Sequence, residues 1–268
     1  MIHSEQLPNT WRVAKAVGWV TFLEVLRDKI LYNTLICSIL LFGIGILASR
    51  LTFIQPERII LDFGYSAVSL SCAAVAILIS SGMMIREFER RTIYVALCHP
   101  ISRVQFILGK YLGVAGVLLL NWVLLSGVYL ALLGLSSVEG SQLISTSLIV
   151  GLGLALLQSL ILASLALFFS TFSTTSLSVM ISIGLYLIGN TATQIRVVAG
   201  RIHSMVGSYF LNLISLIVPN FELFNFGKRI TYALPVSWEF VSLSVIYGVF
   251  MIATLLVLSG FLIRGREV

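Results

Sequence analysis

The chain is short of charge. Only 10% of its 268 residues are Asp, Glu, Lys or Arg, against about a quarter in ordinary soluble domains. Hydrophobic residues make up 58%, and the mean hydropathy is +1.03. That balance excludes an ordinary soluble domain and predicts an integral membrane protein. The net charge of +6 does not argue for nucleic acid, because basic residues flanking spans follow from membrane orientation. Cysteine is scarce too. Cys37, Cys72 and Cys98 are isolated and build no disulfide framework.

Catalytic motifs are also missing. A phosphate-cradling loop needs G-x-x-x-x-G-K-[ST]. Gly109-Lys110 lacks the earlier glycine and is followed by Tyr111, and Gly227-Lys228 is followed by Arg229. There is no H-E-x-x-H, no G-x-S-x-G and no carboxylate pair with a partner base, so an intramembrane enzyme has little support. Cys98-His99 supplies two ligands, too few for a closed metal site. No Asp, Glu, Lys or Arg falls in the middle of a hydrophobic run. Ion-coupled carriers generally need such residues for proton or sodium relays, which counts against a secondary transporter.

What is present is six apolar runs. They predict spans at about Leu31–Ser49, Gly64–Ile85, Tyr111–Leu135, Thr146–Phe169, Ser176–Ile195 and Glu239–Ile263. The first run lies behind a polar segment and is long enough to stay as a span, so no cleaved leader is expected. Ahead of it, Trp19, Phe22, Val25, Leu26 and Ile30 share one helical face, and Glu24, Arg27 and Asp28 the other. Such a helix lies in the membrane interface; the alternative is the wet first turns of span one. Residues 50–63 read as a short loop, and Ser170–Thr175 as a tight uncharged link. Within 196–238 the apolar run Tyr209–Val218 is too short to span. A re-entrant or surface helical hairpin fits it, as does an interfacial amphipathic helix. With both termini inside, Lys and Arg divide eleven inside to six outside, which favours that orientation.

One charged stretch breaks the pattern. Arg86–Lys110 holds five of the seventeen basic residues and two of the eleven acidic ones. Ile85, Phe88 and Val95 recur at helical spacing, and Glu87 can pair with Arg91 at i,i+4. Pro100 stops that helix. Ser102-x-x-Gln105 has the form of a capping box for a second helix running through Phe106 and Leu108. The stretch thus predicts a helical hairpin at the membrane surface.

Glu87, Glu89, Arg90, Arg91, Thr92, Leu97, Pro100-Ile101-Ser102-Arg103 and Leu108-Gly109-Lys110 resemble the first cytoplasmic loop of ABC-2 type transporter permeases. The resemblance is closest to the branch associated with multicopper-enzyme maturation. It departs from the pattern at Tyr94-Val95-Ala96 and Cys98-His99, and the motif covers about a tenth of the chain. It implies an all-α membrane protein with six transmembrane helices in a single permease domain, 1–268. Within it, 1–30 holds an elbow helix, 86–110 a cytoplasmic coupling hairpin and 196–238 an external helical element. It also implies a place in the cell's inner or cytoplasmic membrane, partnership with ABC ATPase subunits that bind ATP and Mg²⁺, and a second permease copy or paralogue. This chain would hold no cofactor or metal of its own. Glu87, Glu89, Arg90, Arg91 and Thr92 would make contacts to the ATPase, and Pro100, Ile101, Ser102 and Arg103 would shape the turn. Basic residues at span ends also suit lipid phosphates.

Polar, uncharged residues offer a second candidate site. Ser178, Ser182, Tyr186, Asn190 and Thr193 recur every three to four residues in span five. They could line a substrate path or bond other helices of the same subunit. For Asn121, in span three, and Gln158, in span four, interhelical bonding is the expectation. Gly109-x-x-x-Gly113 is a small-residue packing motif. The expected function is outward, ATP-driven transport. A channel or carrier without ATPase, and a relay passing ATPase motion to an external partner, stay as alternatives.

Overall fold

In the computed structural model, residues 10–51, 56–89, 103–136, 145–199, 218–232 and 234–265 are described, and every regular element among them is helical. In chain order they are α1 (Thr10–Leu26), α2 (Lys29–Leu51), α3 (Pro56–Glu89), α4 (Arg103–Ser136), α5 (Thr146–Ser170), α6 (Thr175–Asn190) and α7 (Ala192–Ala199). A 3₁₀ turn at Phe221–Phe224, α8 (Gly227–Thr231) and α9 (Trp238–Gly265) follow. Among the described residues four helices are long and apolar enough to cross a membrane: Arg58–Glu87, Val104–Gly134, Thr146–Ser170 and Trp238–Leu262. Two shorter apolar helical stretches, Thr34–Ser49 and Thr175–Asn190, accompany them.

Several boundaries differ from the sequence reading. The helix expected over Trp19–Ile30 is divided: α1 ends at Leu26, and a turn at Arg27–Asp28 leads into α2. Much of the expected 50–63 loop is helix, because α3 starts at Pro56. Proline suits a first helical position, where its missing N–H costs nothing. The charged stretch is not a separate hairpin in its described parts. Its first residues, Arg86–Glu89, are the end of α3, and Arg103–Lys110 are the start of α4. Span five breaks at Thr191, where the hydroxyl donates to the Leu187 and Ile188 carbonyls and α6 gives way to α7. Such back-bonding competes with the helical ladder.

From α2 to α6 the helices alternate in direction, so the molecule has two distinct ends. At one end Asp28 meets Arg86, Glu87 meets Lys110, the Met84 N–H donates to Ser170 Oγ, and Gly260 packs on Val104. At the other, Gly45 packs on Phe63, the Tyr129 hydroxyl donates to the Leu61 carbonyl (2.9 Å), and Ser147 Oγ donates to Leu234 O (3.0 Å). These are called the charged end and the far end below.

α5 is the axis of the bundle. It is buried on almost every side, as a helix enclosed by other helices should be. Ser145 caps it, accepting the Leu148 N–H at 3.3 Å. α4 crosses it with two polar ties: Trp122 Nε1 donates to Leu152 O (2.8 Å), and the Tyr111 hydroxyl to Leu160 O (3.3 Å). The Gly109-x-x-x-Gly113 motif does pack a helix, and the partner is α1. A Cβ at Gly109 would meet Val17 and the Ala14 carbonyl, and one at Gly113 would meet Thr21 and the Gly18 carbonyl. Contacts climb in the same order on both helices, so α1 and α4 run in the same direction.

Tyr129 fills the space that Gly64 leaves empty, and a Cβ there would fall within its ring. Gly64→Ala therefore forces Tyr129 off the Leu61 carbonyl. Overpacking of this kind costs about 1–3 kcal/mol. A thermal-unfolding scan in detergent should show a clear loss for Gly64→Ala and little change for Gly43→Ala, because Gly43 has open space around it.

Candidate functional site

The charged end is built from four helix termini. Lys110 lies about two turns into α4 and is buried, with 6% of its side chain exposed. An isolated ammonium in such a place would be costly. It is paired: Nζ binds Glu87 Oε1 and lies 3.9 Å from Glu24 Oε2. It also sits 5.7 Å from the centre of the Phe106 ring, in cation–π range. Beside it Arg86 Nη1 donates to Asp28 Oδ2 at 3.2 Å, while Arg86 Nε donates to the Gly82 carbonyl at 3.1 Å. Two ion pairs therefore tie the α1–α2 turn and the end of α3 to the start of α4. Among the described residues, no group of three or more His, Cys, Asp or Glu could hold a metal ion.

Of the predicted contact residues, Glu87 is placed in this cluster. Glu89 is the last residue of α3 and Arg103 the first of α4, with side chains outside the described residues. Arg90, Arg91, Thr92, Pro100, Ile101 and Ser102 lie outside them altogether, and with them the expected Glu87–Arg91 pair and the Ser102 capping box. Sequence reasoning missed Lys110, Glu24, Asp28 and Arg86 as partners. A signal for Lys110 was there: it is the last charge before about two dozen uncharged, mostly apolar residues, a position that demands a counter-ion.

The polar stripe faces inward from Ser178 to Asn190. Ser178 and Ser182 are buried, whereas Leu177, Met180, Ile183 and Leu187 on the other side of α6 are exposed. Ser178 Oγ donates to Ala166 O on α5 at 3.1 Å. The Ser182 hydroxyl is buried with no hydrogen-bond partner among the described residues. Tyr186 lies within hydrogen-bonding range of Ser69 and Asn190. The Asn190 amide accepts from Gln158 Nε2 (3.4 Å) and donates to Tyr186 O (3.0 Å). Thr193, on α7, is exposed, and its N–H donates to Glu222 Oε2 at 2.9 Å. Asn121 and Gln158 bond between helices as expected: Asn121 Nδ2 reaches Cys72 Sγ at 3.7 Å, and Gln158 reaches Asn190.

At the far end, residues 218–232 wedge into the bundle. Phe221, Phe224, Phe226 and Ile230 are all buried. The Tyr65 hydroxyl holds the wedge twice, accepting the Phe226 N–H (3.1 Å) and donating to the Phe224 carbonyl (3.3 Å). Tyr247 on α9 accepts the Asn220 N–H at 3.2 Å. Arg229, one of the basic residues unexplained by orientation, stacks 5.3 Å from Phe226 and 5.1 Å from Phe240 and donates to Pro235 O. Its charge has a structural use there. The apolar run Tyr209–Val218 lies outside the described residues except for Val218.

Residues 47–263 match the family model described as "ABC-2 family transporter protein". The chain belongs to the ABC-2 transporter family. The match names the family and no branch within it. A comparison with curated proteins finds no match. Membership makes this chain a multi-pass transmembrane subunit of an ABC transporter. The family implies partnership with ABC ATPase subunits, and ABC-2 permease domains are membrane components and not nucleotide-binding ATPases. α1 and most of α2 lie outside the matched residues.

The ion pair makes a sharp expectation. Lys110→Ala leaves the partly buried Glu87 without its ammonium; breaking a fully buried pair from one side costs about 3–5 kcal/mol, and the loss here should fall below that. Glu87→Gln should cost less, because the amide can still accept from Lys110. In a double-mutant cycle measured by thermal unfolding, the exchange Glu87→Lys with Lys110→Glu should recover part of the loss. Additive losses in the double variant would show that the two groups are not energetically coupled.

Proposed function

We propose that this ABC-2 subunit moves its substrate outward and takes its driving motion from an ATPase docked at the charged end. In this reading α2, α3, α4, α5, α6 with α7, and α9 are six spans, and both termini and the charged end face the cytoplasm. A second copy or a paralogue completes the transporter. ATP and Mg²⁺ belong to the partner subunits, and this chain carries no cofactor. The observation that supports the reading best is the continuity of α3 and α4 from the bundle into the charged stretch, with Lys110 and Glu87 clamping them at its base. A push on 90–102 would then be passed to two long helices. Glu89, Arg90, Arg91 and Thr92 are the proposed docking contacts, and Pro100–Arg103 the proposed turn. Glu87 is assigned to the clamp as well as to the docking set.

The stripe on α6 is the proposed path. Ser178 and Ser182 would reach a substrate only when α6 moves away from α5, so opening the path and receiving the push are one event.

The test is co-purification of the full chain with its ATPase under mild detergent. The triple variant Glu89→Lys, Arg90→Glu, Arg91→Glu leaves the Glu87–Lys110 clamp intact. It should lose most of the ATPase, about ten-fold or more, while its unfolding temperature stays that of the parent. Retention of the ATPase at parental levels would sink the docking assignment.

A relay to an external partner is favoured by a different observation, the clamping of residues 218–232 by both α3 and α9. Tyr65→Phe removes the hydroxyl that satisfies both the Phe226 N–H and the Phe224 carbonyl. Leaving a buried group unpaired costs about 1–3 kcal/mol. If the relay reading is right, this variant keeps ATPase binding and basal hydrolysis but loses the output carried by the external partner. If solute transport is the function, transport falls only as far as stability does.

A further inference from the structure

Two exposed basic residues stand together at the far end. Arg58 is in the first turn of α3. Its guanidinium carbon lies 5.2 Å from the centre of the Tyr232 ring, in cation–π range. Tyr232 follows directly on α8, and its N–H donates to the Lys228 carbonyl at 3.1 Å. Lys228 is therefore one helical turn back on the same side. Lys228 and Tyr232 are exposed as well. Among the described residues no hydrogen bond or ion pair engages Arg58, Lys228 or the Tyr232 hydroxyl. Arg229, the neighbour of Lys228, differs, because Phe226, Phe240 and the Pro235 carbonyl already hold it.

The depth of this cluster follows from the charges around it. α3 carries Arg58 and Asp62 and then no charge until Arg86, and α9 carries Glu239 and then none until Arg264. Phe63 and Leu70 on α3, and Leu243 and Ile246 on α9, are exposed apolar side chains that need hydrocarbon beside them. The polar boundary at the far end thus falls close to Asp62 and Glu239. α8 leads out to it. A Cβ on Gly227 would touch Tyr65, whereas Tyr232 lies by Arg58, seven residues or roughly 10 Å nearer that end of α3. Lys228 starts on the inner side, and a lysine stem can carry its ammonium outward to headgroups. Two cations and a phenol meet at the level where tyrosine is favoured. Arginine and lysine are the side chains that recognise phosphate.

We propose that Arg58, Lys228 and the Tyr232 hydroxyl bind the phosphate of one anionic phospholipid in the leaflet at the far end. The guanidinium and the ammonium supply the charge, and the phenol a third donor. Asp62, one turn along α3 from Arg58, is exposed at the same boundary and opposes the anion. The site rests on the chain's place in a membrane and on no part of the transport or ATPase reading. A lipid held there would lie between α3 and α8, beside the Tyr65 bonds to Phe224 and Phe226, so the seating of the wedge would respond to anionic lipid.

The test is native mass spectrometry of the purified full chain, titrated with phosphatidylglycerol and phosphatidylcholine of identical acyl chains. One basic residue near an anionic surface is worth about five-fold, so the tightest site of the parent should prefer phosphatidylglycerol by roughly twenty-five-fold. Arg58→Gln and Lys228→Gln should each lose about five-fold of that preference, and the double variant should lose it all. All three should unfold at the parental temperature, because both side chains are exposed. Tyr232→Phe, which keeps the ring, should weaken binding by a smaller factor. Asp62→Asn should tighten it, a result that damage to the fold cannot produce. Arg27→Gln, at the charged end, should change nothing. Phosphatidylglycerol with a photoactivatable headgroup should label peptides containing Arg58 or Tyr232. Equal binding of the two lipids by the parent, a preference that survives the double variant, or labelling confined to the charged end would each overturn the proposal. So would displacement of the lipid by glycerol 3-phosphate, which would make the ligand a soluble anion.

Discussion

A buried ammonium cannot stay alone in an apolar phase, and Lys110 is buried. Its pairing with Glu87 decides where the start of α4 stands against the end of α3. At the far end the Tyr129 hydroxyl on the Leu61 carbonyl does the same for the opposite termini. Leu61 and Glu87 are roughly 39 Å apart along α3 at 1.5 Å per residue. That exceeds the roughly 30 Å hydrocarbon core of a bilayer, so the two pins fall near its two boundaries. There polar groups can be partnered at lower cost, and between the pins packing is joined by the Asn121–Cys72 contact. Glu24 and Asp28 then bring the α1–α2 turn to the same charged end. The placement of α1 on α4 thus follows from two separate causes, charge at its end and glycine along its length.

The sequence made the helices legible and their neighbours much less so. Each apolar run became a helix because length and uniform hydropathy leave little other choice in lipid. Boundaries failed where polar residues continue a helix: Glu57, Arg58 and Asp62 looked like a loop, yet Pro56 starts α3 ahead of them. The break at Arg27–Asp28 was invisible because the apolar face of 19–30 runs across it. At the charged end, Glu87 stood out, but local i,i+4 logic pointed to Arg91. Lys110 is twenty-three residues away, and nothing in one sequence reports a contact at that distance. The glycine motif at 109 and 113 announced close packing without saying against what. For the stripe on α6, periodicity showed a shared face but could not tell whether that face turned toward the subunit's interior or away.

That inward turn is what lipid requires. Serine, tyrosine and asparagine facing hydrocarbon would lack partners, so α6 exposes Leu177, Met180, Ile183 and Leu187 and keeps its polar atoms against α5 and α3. The wedge at 218–232 obeys the same rule from the other direction. Its backbone is irregular, and irregular backbone near membrane depth survives only where protein satisfies it. Tyr65, Tyr247 and the Asn220 side chain supply those bonds, and the phenylalanines supply the seal.

Rigidity is therefore uneven, and the unevenness bears on the proposed mechanism. α3 and α4 are each 34 residues without a break, pinned at both ends, and suited to carrying a push. α6 is 16 residues, shorter than a bilayer crossing, and interrupted at Thr191. Its polar ties to α5 are Ser178 Oγ to Ala166 O and Gln158 Nε2 to Asn190 Oδ1, so moving α6 away from α5 breaks those two bonds. The far end resists that motion through the bond from the Thr193 N–H to Glu222 and the seating of Gly189 beneath Phe221. A displacement of α6 that starts at the charged end would thus have to disturb the wedge before the far end could open. On this argument the contacts of Glu222 and Phe221 are the ones a moving α6 has to break at the far end, and the long pair α3 and α4 is the frame against which it would move.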